Sequence, residues 1–122
     1  MFTYKISDGV LFRSDGSPIG TGYSGHGPGV NNIAFEQVHD VGPIPRGLYT
    51  IGEPISPPDH LGPVAMPLTP DSDTDTFGRS AFFIHGDNQA GDRSASHGCI
   101  IIGPLSRAIV NAASDRRLTV IA

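Results

Sequence analysis

The chain contains a single cysteine, Cys99, among its 122 residues. One cysteine excludes an internal disulfide bond and disfavours a cysteine-based zinc site. The sequence also lacks a run of about 18 apolar residues, which a membrane-spanning helix requires. Its first ten residues, MFTYKISDGV, have neither the basic start nor the apolar core of a Sec signal peptide. We therefore expect no membrane span, and any role in a cell envelope requires either a leader removed earlier or another export machine.

Charged residues are scarce, at 16% of the chain, and the acidic ones are in excess, which gives a net charge of −4. This balance predicts no nucleic-acid partner and no general attraction to anionic surfaces. Turn-forming residues are abundant instead, with 16 glycines and 11 prolines. Such a composition favours a mainly β, loop-rich fold over a helical bundle. The length suits a single domain, 1–122, with one core.

Local patterns predict a series of short strands. Asp8-Gly9 is a tight-turn pair between the alternating stretch 2–6 and the apolar stretch 10–13, which is a hairpin signal. Further strands are expected at 19–23, 48–51, 64–68, 81–84, 100–102 and 118–121.

One helix is expected near the C-terminus. Pro104 suits the first helical position, after a capping Gly103, because its missing N–H would be unpaired there in any case. The residues that follow form one apolar stripe at helical spacing, made by Leu105, Ala108, Ile109 and Ala112. The expected architecture is a mainly β sandwich formed by a curved antiparallel or mixed sheet, with this one helix packed on it.

The residues capable of chemistry converge on the segment 81–102. Its two apolar ends predict buried strands, joined by a polar loop. If the strands are neighbours, His85 at the end of the first lies next to Cys99 at the start of the second. A thiol beside an imidazole is the minimum equipment for a cysteine nucleophile with a general base. Each residue alone has a plainer interpretation, a buried cysteine or a histidine that ends a strand, but the combination favours catalysis.

Two further requirements have candidates nearby. A catalytic imidazole needs a group that holds its orientation, and the Gly86 carbonyl and the Asp87 carboxylate are both available. Gly98 lets the backbone turn sharply before Cys99, so we expect the N–H groups of Gly98 and Cys99 to face an oxyanion.

The pattern of a His-Gly pair, a short gap and then Ser-His-Gly-Cys followed by apolar residues resembles the active-site signature of the L,D-transpeptidases. These are cysteine enzymes that act on bacterial peptidoglycan. Here 14 positions separate His85 from Cys99. The resemblance implies that Cys99 is the nucleophile, that His85 is the base and that the Gly86 carbonyl orients it. It also implies that Ser96 and His97 shape the pocket and the substrate contacts, and that no metal or cofactor is needed.

Two earlier segments extend the resemblance over roughly 2–122. The stretch 41–51, VGPIPRGLYTI, resembles the Thr-Pro-x-Gly-x-aromatic motif of the same enzymes. The stretch 20–25, GTGYSG, resembles a compact subgroup that includes the type VI secretion L,D-transpeptidase effectors, which are short antibacterial toxins. Within that subgroup, Tyr23 and Ser24 would border the substrate cleft, with Asp87 among the binding residues.

One departure from the family pattern concerns the substrate carboxylate. The common members carry an arginine two residues after the cysteine, whereas this chain has Ile101 there. Arg46, just before the strand expected at 48–51, has two interpretations. It is either a solvated turn residue or a carboxylate contact that replaces the missing arginine.

Three other features have weaker functional interpretations. His26 and His39 could ligate a metal, but the spacing offers no third ligand. The alternating Asp71, Asp73 and Asp75 lack the glycine and glutamate of a calcium loop, which favours a solvated acidic turn. The proline-rich stretch 54–70 could act as a lid over an active site.

The resemblance implies L,D-transpeptidase or L,D-carboxypeptidase chemistry on peptidoglycan stem peptides, with hydrolysis and exchange both open. It further implies a monomeric effector that reaches the periplasm of a target cell without a Sec signal and is blocked by a cognate immunity protein. Three alternatives stay open: a phage or housekeeping cell-wall enzyme, a non-catalytic wall-binding module, and a cysteine peptidase of unrelated fold.

Overall fold

The structure is a computed structural model that describes residues 1–55 and 63–122. Within these ranges the chain forms nine strands, two short 3-10 helices at Gly27–Gly29 and Ile33–Phe35, and one α-helix. The strands are β1 (Phe2–Lys5), β2 (Val10–Phe12), β3 (Pro18–Thr21), β4 (Tyr23–Ser24), β5 (Gly47–Ile51), β6 (Met66–Pro70), β7 (Phe82–His85), β8 (Ile100–Ile101) and β9 (Arg117–Ile121). The α-helix, α1, covers Pro104–Ala112.

All nine strands belong to one sheet, in the order β3-β2-β1-β9-β5-β6-β7-β8-β4. Most neighbours are antiparallel, but β1 pairs with β9, and β7 with β8, in parallel. The two edge strands, β3 and β4, follow each other in the chain and are separated by Gly22 alone. A sheet whose two edges meet in this way curls into a nearly closed, barrel-like form. The predicted mainly β fold with one packed helix is confirmed.

The predicted N-terminal hairpin is present. Gly9 adopts a φ of +70°, which glycine tolerates better than other residues, and β1 and β2 pair through Thr3–Phe12 and Lys5–Val10. The alternation of buried and half-exposed residues along β1 sends Phe2 and Tyr4 into the interior. Hydrophobic periodicity of two thus indicated the correct inward face.

The core lies inside the curled sheet and is covered by α1. Its members are buried side chains from seven strands and the helix, including Tyr4, Leu11, Tyr49, Met66, Ile84, Ile100, Val110, Leu118 and Val120. Each large apolar side chain so buried contributes roughly 1.5–3 kcal/mol relative to exposure. The helix begins at Pro104, as predicted, after Gly103 in extended conformation.

Arg116 fixes the far end of α1 to the sheet. Its Nη1 donates to the carbonyl of Val110, and its Nε and Nη2 donate to the carbonyls of Ile51 and Gly52. A cation at a helix C-terminus also interacts favourably with the helix dipole.

No helix in the described ranges is long and apolar enough to cross a membrane. The lid predicted at 54–70 includes residues 56–62, which lie outside the described residues.

Gly22 generates a testable prediction, because a Cβ at this position would overlap the carbonyl of Ile101 on β8. We expect Gly22→Ala to separate β4 from β8 and to lower the free energy of unfolding by at least about 2 kcal/mol, the scale of core overpacking. Urea denaturation measures this. Gly103→Ala is the matched control, since a Cβ there meets no atom within 4 Å and should cost no more than about 1 kcal/mol. Equal stability of the two variants would contradict the role given to Gly22.

Candidate active site

Strands β7 and β8 bring the segments that carry His85 and Cys99 side by side in the sheet. Their parallel register pairs Ile84 with Ile100 and His85 with Ile101. Ile84 and Ile100 are fully buried in the core. Because side chains alternate along a strand, His85 and Ile101 point to the opposite face. Cys99 lies in the bend directly before β8. The register therefore brings the segment that carries Cys99 next to β7, the strand that ends at His85.

The thiol of Cys99 is half-buried at the start of β8. Its Sγ lies 3.7 Å from the carbonyl oxygen of Ala81. Burial raises the pKa of the thiol above its ordinary value, while the Phe83 N–H and the charge of Arg79 act in the opposite direction without overcoming burial. A thiol in this environment rests protonated at neutral pH, so its use as a nucleophile requires a base.

His85 supplies an imidazole with a fixed orientation. Its side chain is buried, and Nδ1 lies 2.8 Å from the carbonyl oxygen of Gly86. In the neutral tautomer that donates this hydrogen bond, the proton sits on Nδ1 and Nε2 carries the lone pair that accepts a proton. Of the two orienting groups that the sequence offered, the structure uses the Gly86 carbonyl.

The Asp87 carboxylate has other partners. Its Oδ1 accepts hydrogen bonds from the hydroxyl of Tyr23, at 2.8 Å, and from the N–H of Asn88, at 2.9 Å. Burial, together with the bond to Asp87, raises the pKa of Tyr23 to about 12. Tyr23 therefore keeps its proton at neutral pH and ties the end of β4 to the loop after β7.

Ser96 shapes the turn that precedes the nucleophile. Its hydroxyl donates to the carbonyl of Cys99 at 2.7 Å and accepts from the N–H groups of Gly98 and Gly25, at 3.1 and 3.0 Å. The Gly98 N–H, which the sequence suggested for an oxyanion hole, is thus already bound within the turn. The Cys99 N–H is the remaining candidate for that contact.

Ser24 lies beneath the same turn. It is fully buried. Its hydroxyl donates to the carbonyl of Gly98 at 3.3 Å and accepts from the N–H of Ile44 at 2.8 Å. Its position supports the turn from below, and the side chain does not border an open cleft.

His97 is exposed and faces the loop between β4 and β5. Its ring stacks on His26 with centroids 4.8 Å apart, and its Nδ1 lies 3.1 Å from the carbonyl oxygen of Asp40. Among the residues that the structure describes, no group of three His, Cys, Asp or Glu side chains could hold a metal ion. These contacts indicate that His97 helps to fix the conformation of the loop between β4 and β5.

Arg46 is committed to an internal partner. Its Nε lies 3.0 Å from Oε2 of Glu36 and its Nη2 lies 3.1 Å from Oε1, a bidentate ion pair. The Glu36 side chain is 7% exposed, which makes it a stronger partner than a surface carboxylate. Although burial acts to raise the pKa of Glu36, the hydrogen bonds from Arg46 hold it below its ordinary value.

The family model of the Tlde1 domain matches residues 19–121 of this chain. The chain belongs to the Tlde1 domain family. The Tlde1 domain is a type VI secretion effector domain of the L,D-transpeptidase kind, and such effectors are secreted by the type VI system. No curated protein matches the chain.

Arg79 is the residue of this Tlde1 domain that sequence reasoning missed. Its side chain is buried, and its two terminal nitrogens donate to four backbone carbonyls. Nη1 binds the carbonyls of Glu36 and Pro43, at 2.8 and 2.7 Å, and Nη2 binds those of Gly42 and His97, at 2.9 and 3.3 Å. One guanidinium thereby joins the β4–β5 loop to the turn before Cys99.

Two neighbours complete the environment of Arg79. Its Cζ lies 5.7 Å from the ring centroid of Phe82, within the range of a cation–π contact. Gly98 passes directly over the guanidinium with a φ of +133°, and a Cβ there would lie 2.6 Å from Nη2. The glycine of the Ser-His-Gly-Cys motif is therefore required both by its backbone conformation and by its contact with Arg79.

Replacing Arg79 should destabilise the Tlde1 domain, because four carbonyls lose their donor. We expect Arg79→Met to lower the free energy of unfolding by at least about 3 kcal/mol, the cost of leaving several buried acceptors unpaired. Arg79→Lys should be intermediate, since a lysine keeps the charge but lacks the planar fork. Urea denaturation checks both variants against Arg13→Met, which removes an exposed arginine. If the Arg79→Met variant is as stable as wild type, these hydrogen bonds add nothing to stability.

Proposed function

We propose that this Tlde1 domain cleaves peptidoglycan tetrapeptide stems as a cysteine-dependent L,D-carboxypeptidase or L,D-transpeptidase, through a thioester on Cys99. The observation that supports it most is the parallel pairing of β7, which ends at His85, with β8, which Cys99 directly precedes. The hydrogen bond from His85 to the Gly86 carbonyl adds the orientation that a general base needs.

The reaction starts with a proton transfer. His85 takes the thiol proton of Cys99, and the thiolate attacks the carbonyl carbon of the third stem residue. The Cys99 N–H donates to the oxyanion of the tetrahedral intermediate. The C–N bond to the terminal D-alanine then breaks, and the imidazolium of His85 gives its proton to the departing amine. The acyl group stays on sulfur as a thioester.

The second half of the reaction regenerates the thiol. His85 removes a proton from water, or from the amine of a D-amino acid or another stem, and this nucleophile attacks the thioester carbonyl. The C–S bond breaks and the thiolate takes the proton back from His85. Water gives a tripeptide stem, and an amine gives an exchanged or cross-linked one.

Membership of the family supports a proposal for the biological setting. An effector of this kind acts in the periplasm of the target cell, where stem peptides are accessible, and the producing cell needs an immunity protein that blocks the cleft. We propose that the domain acts as a monomer there.

The direct test incubates the protein with purified disaccharide tetrapeptide and measures the release of D-alanine by mass spectrometry. Wild type should release it. Cys99→Ala should be inactive. The rate of D-alanine release by His85→Gln should fall about 10²–10⁴-fold, the usual contribution of a general base. His39→Gln, which removes an exposed histidine, is the matched control and should retain full activity.

Two results would contradict the proposal. One is D-alanine release by Cys99→Ala at the wild-type rate. The other comes from directing the protein to either compartment of a test bacterium, where killing confined to the cytoplasm would exclude a periplasmic target.

A further inference from the structure

A cleft of about 530 Å³ lies beside the end of β8 and is lined by Ile101, the sheet neighbour of His85. Its walls come from the β3–β4 junction, the loop after β7, the end of β8 and the start of α1, and include Tyr23, Asp87, Arg93, Ile101, Pro104 and Arg107. Ile101 pairs with His85 on one side and with Tyr23 on the other, so all three side chains share one face. Cys99 and His85 are not part of the cleft wall, but Ile101 joins the cleft to His85 through the sheet.

Arg107 provides a buried cation in the wall of the cleft. The residue is 7% exposed. Its Nε donates to the carbonyl of Ile102 at 3.0 Å, and its Nη1 donates to the carbonyl of Pro63 at 2.6 Å. No carboxylate among the described residues forms an ion pair with it, and Nη2 has no acceptor within those ranges. Both backbone bonds hold the guanidinium in place, and neither neutralises its charge.

Gly86 is what lets Arg107 lie next to the catalytic histidine. A Cβ at Gly86 would lie 2.8 Å from Nη2 and 2.9 Å from Cζ of Arg107. The guanidinium therefore packs against the backbone of the residue that follows His85. Burial lowers the pKa of Arg107, but an arginine side chain stays protonated in proteins because its ordinary pKa is so high.

The charges that line the cleft are not balanced. Arg93 and Arg107 contribute two positive charges, and Asp87 contributes one negative charge. Asp87 already accepts hydrogen bonds from the Tyr23 hydroxyl and the Asn88 N–H. Asp92, beside Arg93, is exposed and is not part of the wall. A cleft with one excess positive charge and a buried guanidinium suits a ligand that brings one carboxylate.

We infer that this cleft binds a free carboxylate of the stem peptide, with Arg107 as the specificity-determining residue and Arg93 as a second, exposed contact. The inference rests on the proposed function. It assigns the carboxylate contact to α1, since Ile101 is apolar and Arg46 is occupied by Glu36. The terminal D-alanine and the side chains of the stem both carry carboxylates, and their shared chemistry is what the cleft recognises.

The test measures binding in the Cys99→Ala background, where the substrate is not consumed. Titration calorimetry compares the free-acid tetrapeptide with the same peptide amidated at its C-terminus, and with one amidated on its side-chain carboxylates. We expect one of the two amidations to weaken binding about tenfold or more, because a charge-assisted bidentate contact is lost. The amidation that has this effect identifies the carboxylate that is bound. Adding Arg107→Gln should weaken binding of the free acid to the same degree and leave the amide unchanged.

Further variants separate recognition from folding. Arg93→Gln changes only an exposed side chain and should reduce the preference for the free acid several-fold. Arg107→Lys should recover part of the preference for the free acid. Arg13→Gln, which changes an exposed residue outside the cleft wall, should leave that preference unchanged. If Arg107→Gln is folded by circular dichroism but weakens acid and amide equally, or if neither amidation affects wild-type affinity, the inference is overturned. Failure of wild type to release D-alanine contradicts the proposed function instead, which is a separate result.

Discussion

A single buried guanidinium determines the geometry of the proposed active site. Arg79 donates hydrogen bonds to the carbonyls of Glu36, Gly42, Pro43 and His97, which belong to the β4–β5 loop and to the turn before the nucleophile. Because a buried polar group without a partner is costly, each of these carbonyls constrains the position of its segment. The turn that carries Cys99 is consequently held in place by Arg79, and its conformation does not depend on its own short loop alone.

The hydroxyl groups of Ser24 and Ser96 act on the same turn from the other side. Ser24 links Gly98 to Ile44, and Ser96 links Gly98 to the carbonyl of Cys99. Because Arg79, Ser24 and Ser96 all contact this turn, the backbone of Gly98 has little room to move. This preorganisation is what a cysteine nucleophile needs, since its reactive atom must meet both a base and a carbonyl carbon within a few tenths of an ångström. Burial raises the pKa of the thiol itself, so the proposed mechanism needs His85 as a base.

Much of the fold, and the family, could be predicted from the sequence, because those features have local signals. The hairpin at Asp8-Gly9 follows from turn chemistry, the helix Pro104–Ala112 follows from a proline start and an apolar stripe, and both are observed. The His-Gly and Ser-His-Gly-Cys motifs pointed to the family, which the match to the Tlde1 domain then showed.

Other features had no local signal. Arg79 and Arg107 donate to backbone carbonyls, most of which lie far away in the chain. Any residue type supplies such an acceptor, so the sequence does not reveal these contacts. The engagement of Arg46 by Glu36 depends on the path of the β4–β5 loop, and so does the burial of Ser24. Closure of the sheet through Gly22 likewise depends on strand order, which the pattern of strands and turns does not encode.

In the proposed mechanism, a buried, protonated thiol becomes a nucleophile because the imidazole of His85 takes its proton. Since Cys99 is the only cysteine, the rate of alkylation by iodoacetamide in the folded protein reports on that sulfur alone. At pH 7 we predict that wild type reacts at least about tenfold faster than His85→Gln, because only the thiolate is reactive. Equal rates in the two folded proteins would contradict the account.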